Sequence, residues 1–107
     1  MYVMLNVKSR LEGKTVRLSL EGVLDISTVD TFNGQTEQLS GISELVLDMA
    51  GLEFIDSTGV GAILQVVRLS QERGFTVSLE NANENISELL NTVGLFQIIE
   101  VLRKGAN

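Results

Sequence analysis

The 107-residue sequence predicts an α/β fold: a single small mixed sheet, mostly parallel with an antiparallel edge hairpin, covered by helices. Three observations predict it. Two stretches of period-two alternation open the chain, separated by a short turn. Helical and strand periodicities then alternate to the end. The helix starts follow predicted strands closely, as in strand–helix–strand units with right-handed crossovers. The predicted order is β-β-α-β-α-β-α, in one domain spanning 1–107.

Each element has its own warrant. Val3, Leu5 and Val7 alternate with Tyr2, Met4 and Asn6, a first strand. Glu12-Gly13-Lys14 is a turn. Val16, Leu18 and Leu20 share one face of a second strand, which Gly22 is expected to end. Ser27 as N-cap and Asp30 three residues on suggest a capping box. Val29, Phe32, Thr36 and Leu39 carry that helix to about Ser40, although Asn33-Gly34 inside it is a hairpin signal. Leu45-Val46-Leu47 suits a strand covered on both faces. Val60, Ile63, Leu64 and Val67 define the strongest helix, closed by Gly74. Phe75, Val77 and Leu79 make the next strand. Ile86, Leu89, Leu90 and Val93 repeat the helical spacing, with Gly94 as a stop. Leu95 to Val101 is apolar but short, and Arg103 to Asn107 is expected to fray.

Composition excludes much chemistry. With no histidine and no cysteine, there is no Ser-His-Asp triad, thiolate nucleophile, disulfide, or His- or Cys-bound metal. The net charge of −6 removes the phosphate-neutralising attraction that nucleic acids and anionic membranes require. The start of the chain lacks a signal-peptide layout, and no apolar run approaches the ~18 residues of a membrane helix. A cytoplasmic protein without cofactor or bound metal is expected.

In parallel sheets, sites gather beyond the carboxyl ends of the strands. Two segments leave such ends toward helices: Gly22 to Ser27 and Gly51 to Ser57. If their strands are neighbours, Asp25 approaches Asp56 and Ser57. Asp56-Ser57-Thr58-Gly59-Val60-Gly61 is the most informative segment. Asp56 or Ser57 is most simply an N-cap, worth about 1 kcal/mol. Yet Gly59 and Gly61 in the first turn each cost the helix up to about 1 kcal/mol. Such rule-breaking marks close approach of another backbone, and the hydroxyls of Ser57 and Thr58 sit at the anion-tolerant helix end. Gly59-Val60-Gly61 lacks the third glycine of a dinucleotide fingerprint and no Walker lysine follows. Asp25, Asp48 and Asp56 could be drawn as a Mg²⁺ cluster, but Asp48 falls within a strand and reads as a structural acceptor.

The segment from Leu45 through Asp56-Ser57-Thr58-Gly59 to Gly61 resembles the signature of STAS domains, particularly bacterial anti-sigma factor antagonists. Gly22-Val23-Leu24-Asp25 resembles that family's first loop, and Leu89 to Leu95 the end of its third helix. The likeness covers almost the whole chain. It implies a STAS-like fold and a partner-switching regulator, not an enzyme, in stress response or sporulation. The unphosphorylated protein would bind an anti-sigma factor and free the sigma factor. That anti-sigma factor, a serine kinase, would phosphorylate Ser57 and end the interaction, and a PP2C-type phosphatase would reset it. Asp25, Asp56, Thr58, Gly59 and Gly61 would face the partner, and the free protein would be a monomer. Val23 stands where many members carry an acidic residue, a departure that bears on partner choice. The chain stops soon after Val101, so a shortened last helix is expected.

A phosphate on Ser57 adds about −1.5 to −2 charges. Beside Asp56 and Asp25 it would repel an acidic partner group and block close approach. Two rival readings exist. A STAS subunit of a larger assembly, such as a stressosome scaffold or lipid-transport ABC accessory, would need no such cycle. A small nucleotide-binding protein using Asp25 and Asp56 would be stabilised by GTP or ATP in a thermal-shift titration.

Overall fold

A computed structural model describes residues 4–105. Tyr2 and Val3 of the first predicted strand, and Ala106 and Asn107 of the predicted tail, lie outside the described residues. The elements are β1 (Leu5–Glu12), β2 (Thr15–Leu24), α1 (Val29–Thr36), β3 (Glu44–Ile55), α2 (Ser57–Arg73), β4 (Thr76–Glu80), α3 (Glu84–Thr92) and α4 (Leu95–Gly105). The strands lie in the order β1-β2-β3-β4. β1 and β2 are antiparallel, and β2–β3 and β3–β4 are parallel. This is the mixed sheet that the alternating patterns predict.

One core cluster forms on one face of the sheet. Leu18 and Leu20 of β2 and Leu45, Leu47 and Met49 of β3 meet Phe32, Ile63, Leu90 and Leu95 from the four helices. Val46 is outside that cluster, on the face that carries Arg17 and Asp48. Leu45-Val46-Leu47 is therefore covered by helices on one face only, and the continuous apolar run overstates the cover.

The open face is polar and knitted across strands. Arg17 on β2 donates through Nη1 to Asp48 Oδ2 at 3.1 Å and through Nη2 to Glu80 Oε1 at 3.0 Å. The other Asp48 oxygen accepts from the Ala50 N–H and from Asn81, each at 3.1 Å. Asp48 is thus a structural acceptor. The Ala50 N–H, then Asn81 and Arg17, hold its carboxyl below the usual carboxylate value despite partial burial. A depressed folded pKa means that the unfolded chain takes up protons first as pH falls. The contribution is complete above the ordinary carboxylate pKa of about 4 and disappears as acid protonates the folded form. Asp48→Asn is expected to lower stability at pH 7 and to flatten its fall below about pH 4, as urea unfolding at several pH values will report.

β3 departs furthest from expectation. It has twelve residues against ten on β2, because the register slips twice, between Ser19 and Glu21 and between Gly22 and Val23. Its residues in the core cluster are Leu45, Leu47, Met49, Leu52 and Ile55, spaced two, two, three and three. A period-two reading loses the strand after Met49, which is why Gly51 to Ile55 looks like a loop in sequence. The Asn83 side chain donates to the Leu52 carbonyl at 3.3 Å beside the second slip.

Other boundaries shift for local reasons. β2 runs past Gly22 to Leu24 because Gly22 adopts φ +106°, and a Cβ there would collide with the Met4 carbonyl. The predicted Ser27–Asp30 capping box does not form: Thr28 is the N-cap of α1 and makes no side-chain cap bond. α1 stops at Thr36 rather than Ser40, since Arg73 Nη1 donates to the Glu37 and Leu39 carbonyls at 2.8 and 2.6 Å. Asn33-Gly34 stays helical, with Phe32 and Thr36 buried on either side. α4 continues through Arg103, whose Nη2 donates to the Val77 carbonyl and Ser78 Oγ, both at 3.0 Å, so fraying does not begin there.

Candidate functional site

The ends of β2 and β3 bring the two singled-out segments together. Leu24 pairs with Ile55, and the Asp56 N–H donates to the Leu24 carbonyl at 3.3 Å. Asp25 and Asp56 therefore leave the sheet side by side, as parallel neighbours require.

Their carboxylates do different things. Asp56 is the N-cap of α2, with extended backbone, and accepts the Gly59 N–H at 2.9 Å. Asp25 closes its own turn. Its Oδ1 accepts the Ser27 N–H at 2.9 Å and the Ser27 hydroxyl at 2.6 Å. Those bonds, the hydroxyl first, hold the Asp25 carboxyl below its ordinary pKa. The buried Thr28 locks the turn from inside, accepting the Asp25 N–H at 3.0 Å and donating to the Val23 carbonyl at 2.8 Å. As N-cap of α1, Thr28 makes no side-chain cap bond because its hydroxyl is engaged here.

Ser57 is the first residue of α2 and is exposed. Among the described residues its hydroxyl has no hydrogen-bond partner, unlike that of Ser27. Thr58, next along the helix, is half-buried. The first-turn N–H groups and the helix dipole favour an anion at this end.

The two glycines separate. Gly59 is buried, and a Cβ on it would stand 2.5 Å from the Leu24 carbonyl oxygen and 2.6 Å from Ile55 Cγ1. The close approach expected there is made within the molecule, seating α2 on the strand ends. Gly61 is exposed, with nothing within 4 Å of the position a Cβ would take. Gly61→Ala is expected to raise stability by up to about 1 kcal/mol through helix propensity. Gly59→Ala should instead cost about 1–3 kcal/mol by overpacking against a backbone oxygen that cannot move freely. Urea unfolding of both variants checks the opposite signs.

Sequence reasoning passes over Thr28, Ile26 and Phe54. Ile26 and Phe54 are 76% and 51% exposed, beside Asp25 and Asp56 respectively. Their signal is an apolar residue placed near or just beyond the end of a strand, where burial is not available.

A family model described as "Mlab, STAS domain" matches residues 7–102. The chain is 33% identical over 95 residues to an anti-sigma F factor antagonist from Paenibacillus polymyxa, covering 86% of this chain and 80% of that protein. It is 22% identical over 101 residues to an anti-sigma-B factor antagonist from Bacillus subtilis, covering 94% and 93%. Among solved structures, an anti-sigma factor antagonist from Mycobacterium paratuberculosis superposes with a TM-score of 0.75 at 18% identity, over 88% of this chain and 81% of that one. A sulfate transporter family protein from Wolinella succinogenes gives 0.74 at 18%, over 84% and 75%. These two likenesses show the fold alone. The structure of Mglu gives 0.62 at 29% over 72% of this chain, which spans about a fifth (20%) of that longer chain.

Proposed function

The chain belongs to the STAS domain family, and from that membership we propose that it is an anti-sigma factor antagonist working by partner switching. With Ser57 bare, it binds an anti-sigma factor and frees the sigma factor. The anti-sigma factor, acting as a serine kinase, phosphorylates Ser57 and is released, and a PP2C-type phosphatase restores the bare form. The role is regulatory binding in the cytoplasm rather than catalysis.

The observation that carries this reading is the condition of Ser57: exposed, at the first position of α2, with a hydroxyl not engaged by the described residues. Ser27 donates its hydroxyl to Asp25, and Thr58 is half-buried. Asp25, Asp56, Thr58 and Gly61 surround the acceptor in this proposal. Gly59 contributes by holding α2 in place.

The test is to incubate the protein with a candidate anti-sigma factor kinase and ATP and to map the phosphate by mass spectrometry. Phosphate is expected on Ser57; phosphate mainly on Thr58 or Ser27 defeats the assignment. Ser57→Ala should still bind the kinase, and Ser57→Asp should bind it more weakly. The likeness to a sulfate transporter family protein favours a second reading, a STAS subunit within a larger assembly. That reading expects no phosphate from any such kinase.

A further inference from the structure

The open face of the sheet is polar along most of its length, with Lys8 and Arg10 on β1, Arg17 on β2, Asp48 on β3 and Glu80 on β4. At the end beside Ser57 its character changes. Val23 pairs with Phe54 across β2 and β3, and the Val23 N–H reaches the Met4 carbonyl at 3.4 Å. Val23 and Phe54 sit on adjacent strands, roughly 5 Å apart in the pairing direction, and Met4 immediately precedes β1. Met4 is 69% exposed, Phe54 is exposed, and Val23 is half-buried. Ile26, in the turn that leaves β2 at this same end of the sheet, is 76% exposed.

The segment that carries Val23, Ile26, Phe54 and Ser57 holds charges of one sign. From Leu18 through Val67 the chain has no lysine or arginine and eight carboxylates. Glu21 is offset by Lys8 of β1 at 3.5 Å. Asp25, Asp30, Glu53 and Asp56 form no ion pair with any described residue.

We propose that Met4, Val23, Phe54 and Ile26 form the apolar centre of the partner-binding surface, and that the partner presents an apolar recess ringed by lysine and arginine. This rests on the reading of Ser57 as the switch. Charge complementarity selects the occupant. A second copy of this chain would set two acidic poles against each other, a like-charge juxtaposition that disfavours association. A basic protein face gains both steering and specificity. The mode of release follows. Phosphate on Ser57 makes the pole more acidic and strengthens its long-range attraction to a basic ring. Release therefore comes from the phosphate occupying the contact, not from repulsion between the two faces. Ser57→Asp, which adds charge with less bulk, should release the partner less completely than phosphorylation does.

The experiment measures affinity for the anti-sigma factor kinase that labels Ser57, by titration calorimetry at 50 and 300 mM NaCl. Wild type is compared with Phe54→Ser, Ile26→Ala and Asp30→Lys. Both apolar variants alter exposed residues, so their unfolding midpoints should stay close to wild type. Each is expected to weaken binding about tenfold or more, as central contacts do. Wild-type affinity should fall severalfold with salt, and Asp30→Lys should weaken binding at 50 mM NaCl. Affinities within twofold of wild type for both apolar variants, or no salt dependence, overturn the proposal while labelling of Ser57 leaves the switch reading intact. Light scattering that shows a dimer dissociated by Phe54→Ser also overturns it, assigning the patch to a second copy. Failure of every candidate kinase to bind or label the wild type removes the switch reading, and this inference with it.

Discussion

Replacing Ile63 with alanine is expected to remove about 2–5 kcal/mol of unfolding free energy, enough to leave a domain of this size marginal. Ile63 is 0% exposed and belongs to the core cluster where α2 lies against the sheet. Removing three carbons there loses transfer free energy and leaves a cavity whose walls relax only in part. Leu64 carries equal weight in the periodic reading of the sequence. In the structure it is only partly buried, at the edge of the cluster. Leu64→Ala should therefore cost about 1 kcal/mol, closer to simple loss of area. Chemical denaturation of the two variants will separate them. Equal costs would mean that the buried face of α2 is rotated from the one described.

On the proposed reading, phosphorylating Ser57 should lower affinity for the anti-sigma factor by about 100-fold or more. A few kcal/mol lost at the centre of an interface is enough for that. The dianion must either be stripped of water beneath the partner or hold the partner away, and both weaken the complex. Titrating the bare and fully phosphorylated proteins against the same anti-sigma factor measures the effect. A change below about tenfold would leave too little difference for a switch, whatever residue the kinase labels.

The parts of the fold legible in sequence are those where local chemistry and burial agree. α2 is the clearest: Asp56 caps it, Gly74 ends it in the left-handed conformation, and Val60, Ile63 and Val67 are buried at the expected spacing. The neighbourhood of Asp25 and Asp56 is legible for the same reason, because parallel pairing of the two strands places their ends together. The misread parts are those where a tertiary contact decides. A capping box at Ser27 is reasonable until Asp25 takes the serine hydroxyl. The end of α1 depends on Arg73, thirty-six residues from Glu37. Gly59 looks like a partner's contact because nothing local says that its hydrogen faces Leu24 and Ile55. Arg103 looks like the start of a tail until the edge of β4 is seen to accept its guanidinium.

The two slips in β3 have a consequence for how the strand can change length. One extra residue inverts which side chains point inward, and a second restores the original sense. The pair therefore obeys a parity rule. An odd change of length between Met49 and Ile55 would turn Leu52 or Ile55 to solvent and bring Glu53 toward the core, with α2 starting from the wrong side of the sheet. An even change keeps inside and outside as they are and alters only how far the strand end stands beyond β2. A two-residue insertion or deletion here is therefore expected to cost the interior less than a one-residue change, while altering how far the Ser57 turn stands from Asp25.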